Sequence, residues 1–455
     1  MLPFAYDDID ADDARTRIEV RPNCHWPPGS LPRDWHYSCF TLAPLAVLRQ
    51  DRLLCERTDL LVRSGRPFVY PVELRYNMRE ILAGDAVLAP AIPPDVLAQT
   101  RAGRAAILVW IGHEPTPLEL EPGKSWVFDA VQRFVTDHEL PPQQVWFVSG
   151  NLIGVHSFGR WLQARRLYEA EAFRFRTLAL SPGSVQARYR ANRSGFDLNI
   201  RQLDDGYMLR VEPCDAAAFA RRYIDPAEID EERRSGRLRP KRFLSFNGRP
   251  GIHRQLLVAY LSGKGLLDGS LVSFRAAAAD FAGDLEFPAH REFLRDSWRA
   301  LLRRLPLTVD TLTDVIDHHR VQDGWPYREA YFNIVTETEV GYGCAPFSTE
   351  KLMKPISNFQ PFIVISTTDT LRYLHRIGFK SFPGLIDESY DRPPDPVVRI
   401  PRIFEQIDRL AALSAAEARD RYFACLPELE HNRAHLIDGR HELEDLFDEL
   451  EAQLG

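Results

Sequence analysis

Three short stretches carry residue types that could do chemistry. The first, Tyr331–Ser366 (YFNIVTETEVGYGCAPFSTEKLMKPISNFQPFIVIS), runs from an apolar strand into Glu337 and then through a glycine-containing loop. It continues into Ser348-Thr349-Glu350-Lys351, which opens a helix, and returns to an apolar strand. Ser348 or Thr349 can cap that helix, and Glu350 falls in the first turn, where the helix dipole favours an anion. The same positive end, with Lys351 beside it, suits a phosphate, and a nearby carboxylate suits ribose hydroxyls. The competing reading is a capped amphipathic helix whose Glu350 and Lys351 are merely solvated.

The second stretch is Phe243–Arg254 (FLSFNGRPGIHR). A strand ends in Asn247, a Gly/Pro turn carries Arg249, and a helix begins near Ile252 with His253 and Arg254 in its first turn. That order puts these groups at the carboxyl end of a parallel strand, where α/β folds bind ligands. Arg249 and Arg254 have the fork geometry to clamp a diphosphate. Arginines at a helix N-terminus oppose the macrodipole and call for an anionic partner; the alternative is a plain surface turn. The third stretch, Ile107–Glu119 (ILVWIGHEPTPLE), places His113 and Glu114 directly after a buried strand, where either could move a proton. Against that, a Glu before Pro is commonly just a solvated loop residue. Asn151 and His156 follow the next strand in a similar position, with Glu73 and Asp85 as further acidic candidates.

Positioning these groups takes two α/β halves. Ala105–Ile111 (AAILVWI) and Val145–Val148 (VWFV) are continuous apolar runs of the kind buried on both faces of a parallel sheet. Between them Trp126, Val127, Ala130, Val131 and Phe134 recur at helical spacing until Pro141-Pro142, which completes a βαβ unit. The segment 223–241 (YIDPAEIDEERRSGRLRPK) has almost no large apolar residues and reads as a connection. The pattern then restarts with strands at 243–246, 271–274, 331–336 and 362–365. Helices are expected at 252–262, burying Leu256, Leu257, Tyr260 and Leu261, and from Thr349 to about Phe359. The expected organisation is an N-terminal domain over 1–235, a C-terminal domain over 236–440, and a helix over 441–455 that packs back on the first, with Leu443, Leu446, Phe447 and Leu450 as its apolar stripe.

Composition narrows the function. The 455 residues are 45% hydrophobic and 27% charged, ordinary for a globular enzyme. A net charge of −7 argues against a global nucleic-acid footprint or attachment to anionic lipid by charge alone. Six scattered cysteines without a CxxC pair read as reduced thiols. With no signal-like N-terminus and no long apolar run, the expected location is the cytoplasm, without a membrane span. There is no GxGxxG after a strand and no GxxxxGK[ST]. HExxH, zinc-spaced Cys/His and GxSxG are missing too. His318-His319 reads as surface, Asp204-Asp205 as a turn, and the early DDIDADD as a solvated arm, so no metal is expected.

The run strand–Glu337–loop–Ser348-Thr349-Glu350-Lys351–helix–Gln360-Pro361-Phe362 resembles the donor-binding segment of fucosyltransferase-like and exostosin-like glycosyltransferases of the GT-B fold. The likeness spans about 40 residues and departs from the fucosyltransferase pattern at Lys354-Pro355-Ile356. Gly378–Asp391 (GFKSFPGLIDESYD) looks like the tail of bacterial and viral proteins with the same Glu-Lys helix. The resemblance implies two Rossmann-like domains facing a cleft and a nucleotide-sugar donor on the second domain. It implies Glu350 at the ribose, Lys351 at the diphosphate, and Glu337 near the donor sugar or its ribose. In such an enzyme Asn247, Arg249, His253 and Arg254 would complete the donor site, and the two arginines would neutralise the leaving nucleoside diphosphate. Glu114, or else His113, would act as base, with Asn151 and His156 on the acceptor side and the anomeric centre inverted. The acceptor (glycan, lipid, protein or nucleic acid) and the oligomeric state stay open. The rival readings are a non-catalytic scaffold subunit of a glycan-modifying complex and a phosphoryl or glycerol-phosphate transferase using the same cations.

Overall fold

The structure, a computed structural model, describes residues 2–6, 20–22, 34–36, 53–74, 92–111, 118–119, 121–151, 154–178, 180–203, 206–248, 250–275, 290–309, 323–341, 346 and 348–455. These residues form two compact units. One holds the described residues up to Cys214 together with Arg440–Gly455, and the other those between Asp215 and Gly439. None of the described helices is long and apolar enough to cross a membrane.

In chain order the first unit's strands are β1 (Leu2–Tyr6), β2 (Val20–Pro22), β3 (Asp34–His36), β4 (Leu53–Arg57), β5 (Phe68–Leu74), β6 (Ala105–Ile111), β7 (Val145–Ser149), β8 (Arg174–Thr177), β9 (Phe196–Leu203) and β10 (Gly206–Pro213). Its main sheet runs β4-β1-β5-β6-β7-β8, all parallel, with β2 antiparallel against β5. β3, β10 and β9 form a small antiparallel sheet. The apolar runs on β6 and β7 are continuous because both faces are covered. Ile107, Val109, Val145 and Phe147 join one core with the helix Trp126–Asp137. Leu108, Trp146 and Val148 face the other way and meet Leu443, Leu446, Phe447 and Leu450 of the C-terminal helix Glu442–Leu454. Trp146 Nε1 donates to Gln453 Oε1 at 2.9 Å, fixing that helix along the sheet.

The second unit holds β11 (Lys241–Asn247), β12 (Leu271–Phe274), β13 (Ala330–Thr336) and β14 (Phe362–Ile365), all parallel in the order β12-β11-β13-β14. The strands expected at 243–246, 271–274, 331–336 and 362–365 are these four, so both halves are α/β and Rossmann-like. The chain leaves β11 to one side and returns on the other, which makes the gap between the carboxyl ends of β11 and β13 the topological switch point. The helix Ile252–Gly263 behind it is buried on every side, from His253 through Leu261, rather than along the single stripe expected.

Segment 223–241 is not an irregular connection. Asp225 caps a helix, Pro226–Ser235, in a capping box with Glu228, and Pro226 occupies its first turn. Its Glu232 lies 2.7 Å from Arg239, whose buried guanidinium also donates to the Ala330 carbonyl at 2.8 Å and sits over the Tyr422 ring. The helix is held by caps and a buried ion pair, which is why its lack of apolar residues misleads.

Candidate functional site

At the switch point, a polar bracket ties the two strand ends together. Ser245 Oγ donates to the Ile334 carbonyl at 2.8 Å, and Asn247 Nδ2 donates to Ser245 Oγ at 3.1 Å. Thr336 Oγ1 donates to Asn247 Oδ1 at 2.9 Å, and the Asn247 N–H reaches Ser273 Oγ at 3.2 Å. Asn247 is fully buried. Expected from sequence to face a ligand, it is placed instead to fix the ends of β11, β12 and β13 relative to one another. Thr336 and Ser245 were not singled out in the sequence, since nothing local marks a strand hydroxyl as one half of such a pair.

The helix after β11 starts against the end of β13. Gly251 precedes it, and a Cβ there would come within 2.9 Å of His253 Cε1, so the residue must stay small. His253 Nε2 donates to the Glu337 carbonyl at 2.8 Å, and Arg254 Nη2 donates to the same oxygen at 3.0 Å. That contact assigns the proton to Nε2 and leaves Nδ1 with its lone pair. Burial lowers the His253 pKa to about 3, with the Arg254 and Lys351 charges acting in the same direction; the imidazole is therefore neutral at ordinary pH. Arg254 is buried as well, so its cation is presented from inside the fold.

The helix Glu350–Ser357 after β13 is clamped by the strand's own end. Glu337 is fully buried; its Oε1 accepts from the Thr349 N–H at 2.8 Å and its Oε2 from the Thr349 hydroxyl at 2.6 Å. Burial raises the Glu337 pKa, against the pull of Lys351 and of both Thr349 hydrogen bonds. Thr349 is the N-cap, its Oγ1 accepting from the Lys351 N–H at 3.2 Å. Lys351 Nζ lies 3.2 Å from the same Oγ1 and 3.1 Å from Glu350 Oε1. Lys351 and Glu350 keep 24% and 17% of their side-chain surface exposed, so both charges stay partly accessible beside a buried framework. Ser348, one residue earlier, is buried.

A third junction was missed by sequence reasoning. The helix Thr370–Arg376 follows β14, and Asp391 Oδ2 accepts from the Leu371 N–H at 2.8 Å. Burial pushes Asp391 up to about 7. Arg399, itself buried, donates to the Val340 carbonyl at 2.7 Å and so holds the chain just beyond Glu337. The sequence shows Asp391 only as an acid inside the Gly378–Asp391 likeness, with no cap pattern to mark its partner 20 residues earlier.

The structure thus brings together Asn247, His253, Arg254, Glu337, Ser348, Thr349, Glu350 and Lys351. Arg249 lies outside the described residues, as do His113, Glu114, Asp85, Asp204, Asp205, His318 and His319, and the early DDIDADD. Glu73 stands on β5, but its side chain is also outside them. In the first unit Asn151 is buried just past β7, its N–H on Ser149 Oγ at 3.1 Å, and His156 is exposed on the helix Gly154–Arg165. Among the described residues, no group of three or more His, Cys, Asp or Glu is placed to hold a metal ion. The start of the helix Ile252–Gly263, Arg254 and Lys351 gathered at parallel strand ends form an arrangement suited to binding a phosphate-bearing ligand, while the start of the helix Glu350–Ser357 is taken by Glu337 and Thr349.

No protein-family model and no curated protein sequence matches the chain. Its structure is similar to an α,α-trehalose-phosphate synthase (UDP-forming) from Burkholderia vietnamiensis, with 14% identity and a TM-score of 0.33 over 90% of this chain and 82% of that one. It is also similar to a glycosyltransferase from Rickettsia africae ESF-5, at 8% identity and a TM-score of 0.37 over 99% and 98%. A UDP-GlcNAc 2-epimerase from Neisseria meningitidis, bound to UDP-GlcNAc, matches at 10% identity and a TM-score of 0.35 over 99% of both chains. All three TM-scores are low.

Proposed function

We propose that the chain is a glycosyltransferase of GT-B type that moves a sugar from a nucleotide-sugar donor to an acceptor. The observation that carries the reading is the Thr349-Glu350-Lys351 helix start at the switch point, where an accessible cation and an accessible carboxylate share one helix turn. Phosphate oxygens meet Lys351, the Arg254 cation and the start of the helix Ile252–Gly263, while Glu350 accepts from ribose hydroxyls. The sequence resemblance assigns the same two roles to Glu350 and Lys351. Arg249 joins Arg254 in offsetting the charge that develops on the leaving nucleoside diphosphate. With those cations in place the transfer runs without a metal ion.

Glu114, with His113 second, is the proposed base that takes the acceptor hydroxyl proton as the anomeric carbon is attacked, inverting that centre. Asn151 and His156 are proposed to line the acceptor side. The experiment is to incubate the protein with UDP-, GDP-, CMP- and ADP-linked sugars, with and without EDTA, and to follow nucleotide release in candidate acceptor mixtures. Release from one donor class that survives EDTA and is lost in Glu114→Gln supports the reading; no release from any of them contradicts it.

A further inference from the structure

We infer that Glu337 is a positioning residue: its buried carboxylate sets the direction of the Thr349 hydroxyl and thereby holds the Lys351 ammonium where a phosphate would bind. The inference rests on the donor-site reading for the ligand, but not for the relay.

A threonine hydroxyl has one proton and two lone pairs. Here the proton goes to Glu337 Oε2 at 2.6 Å, so the lone pairs of Oγ1 are left for the Lys351 N–H and the Lys351 Nζ, each at 3.2 Å. An ammonium only donates, so Lys351 keeps its Oγ1 contact, beside the one to Glu350 Oε1 at 3.1 Å, while the hydroxyl proton points toward Glu337. The second oxygen, Oε1, accepts the Thr349 N–H and fixes the backbone of the same residue. The strand end that carries Glu337 is pinned through its carbonyl by His253 and Arg254. Because Glu337 is fully buried, with both oxygens on Thr349, it acts through that residue rather than by touching a donor.

Protonating Glu337, or replacing it with Gln, gives the position a donor of its own. The Thr349 hydroxyl then accepts from residue 337, its proton turns outward, and Lys351 loses its Oγ1 contact while keeping the one to Glu350 Oε1. The charged and titratable groups facing Glu337 are Lys351 and Glu350 on one helix and His253 and Arg254 on the other. His253 stays neutral down to about pH 3, so it does not titrate in the same range. Burial raises the Glu337 pKa, which places the reversal above the ordinary glutamate range.

The test compares wild type, Glu337→Gln, Thr349→Ser and Thr349→Val, each first shown to be folded by circular dichroism. Lys351 acylation by acetic anhydride, read by mass spectrometry against the other lysines, reports the relay without any ligand. Inorganic pyrophosphate, which carries no base, reports the phosphate site by calorimetry. Faster acylation of Lys351 in Glu337→Gln and Thr349→Val, wild-type behaviour in Thr349→Ser, and a pyrophosphate Kd about tenfold weaker in Glu337→Gln support the inference. The wild-type Lys351 rate should also draw level with that of Glu337→Gln as the pH falls. Acylation of Lys351 unchanged by Glu337→Gln overturns the relay, whatever pyrophosphate does. Failure of the wild type to bind pyrophosphate while the acylation pattern holds overturns the donor-site reading and leaves the relay standing.

Discussion

The His253 imidazole and the Glu337 carbonyl, 2.8 Å apart, join the first turn of one helix to the end of a neighbouring strand. Through that contact the helix after β11 and the end of β13 become one framework. Lys351 and Glu350 stay partly accessible beside it.

The buried His253 should leave a mark on acid stability. Its pKa is lowered from 6.5 to about 3, so the folded state binds fewer protons than the unfolded chain between those values. Its contribution is present above pH 6.5 and lost as pH falls toward 3, at up to about 1.4 kcal/mol per pH unit. Urea titrations from pH 7 to 4.5 should show a shallower loss of stability in His253→Asn than in wild type. Equal slopes would mean that the imidazole is charged or solvated in the fold.

Asp391 should act with the opposite sign. Its pKa is raised from 3.8 to about 7, so the folded state holds the proton more tightly. The stabilisation is present below pH 3.8 and disappears as pH rises through 7, a span worth up to about 4 kcal/mol. Asp391→Asn keeps an acceptor for the Leu371 N–H and removes the charge, so it should gain on wild type between pH 5 and 8 in thermal melts. A gap independent of pH would refute the assignment.

Glu232 and Arg239 predict a large, one-sided cost. The Arg239 side chain has no exposed surface, and Glu232 Oε1 is 2.7 Å from its Nε. Glu232→Ala strands a buried cation and should cost about 3–5 kcal/mol in urea unfolding. A loss below about 1 kcal/mol would place the pair among ordinary surface salt bridges.

Much of this architecture is readable in the chain because parallel strands buried on both faces are continuous apolar runs, as at Ala105–Ile111 and Ala330–Thr336. The Ser348-Thr349-Glu350-Lys351 helix start is readable for a related reason: capping chemistry is local, with donor and acceptor one or two residues apart. What stays hidden is pairing at a distance. Thr336 and Asn247 stand 89 positions apart, and neither residue type announces the other. Glu337 looks like a ligand-facing acid until its burial and its two bonds to Thr349 are seen. The short strands β1 and β4 lie in a stretch rich in Pro, Trp and charge, where alternation is weak. The helix Pro226–Ser235 escapes notice because caps and an ion pair replace an apolar face.

The most direct test of the central claim is a thermal-shift panel of UDP, GDP, CMP and ADP and their common sugar conjugates. Wild type and Lys351→Ala are run side by side, with and without EDTA. Lys351 is partly exposed, so its removal should leave the unliganded melting temperature nearly unchanged. A nucleotide at a hundred times its Kd should stabilise the wild type by about 2.7 kcal/mol. The account predicts that shift for one nucleotide class, independent of EDTA and lost in Lys351→Ala. A well-folded wild type that none of these ligands stabilises, or a shift that Lys351→Ala leaves intact, would contradict it.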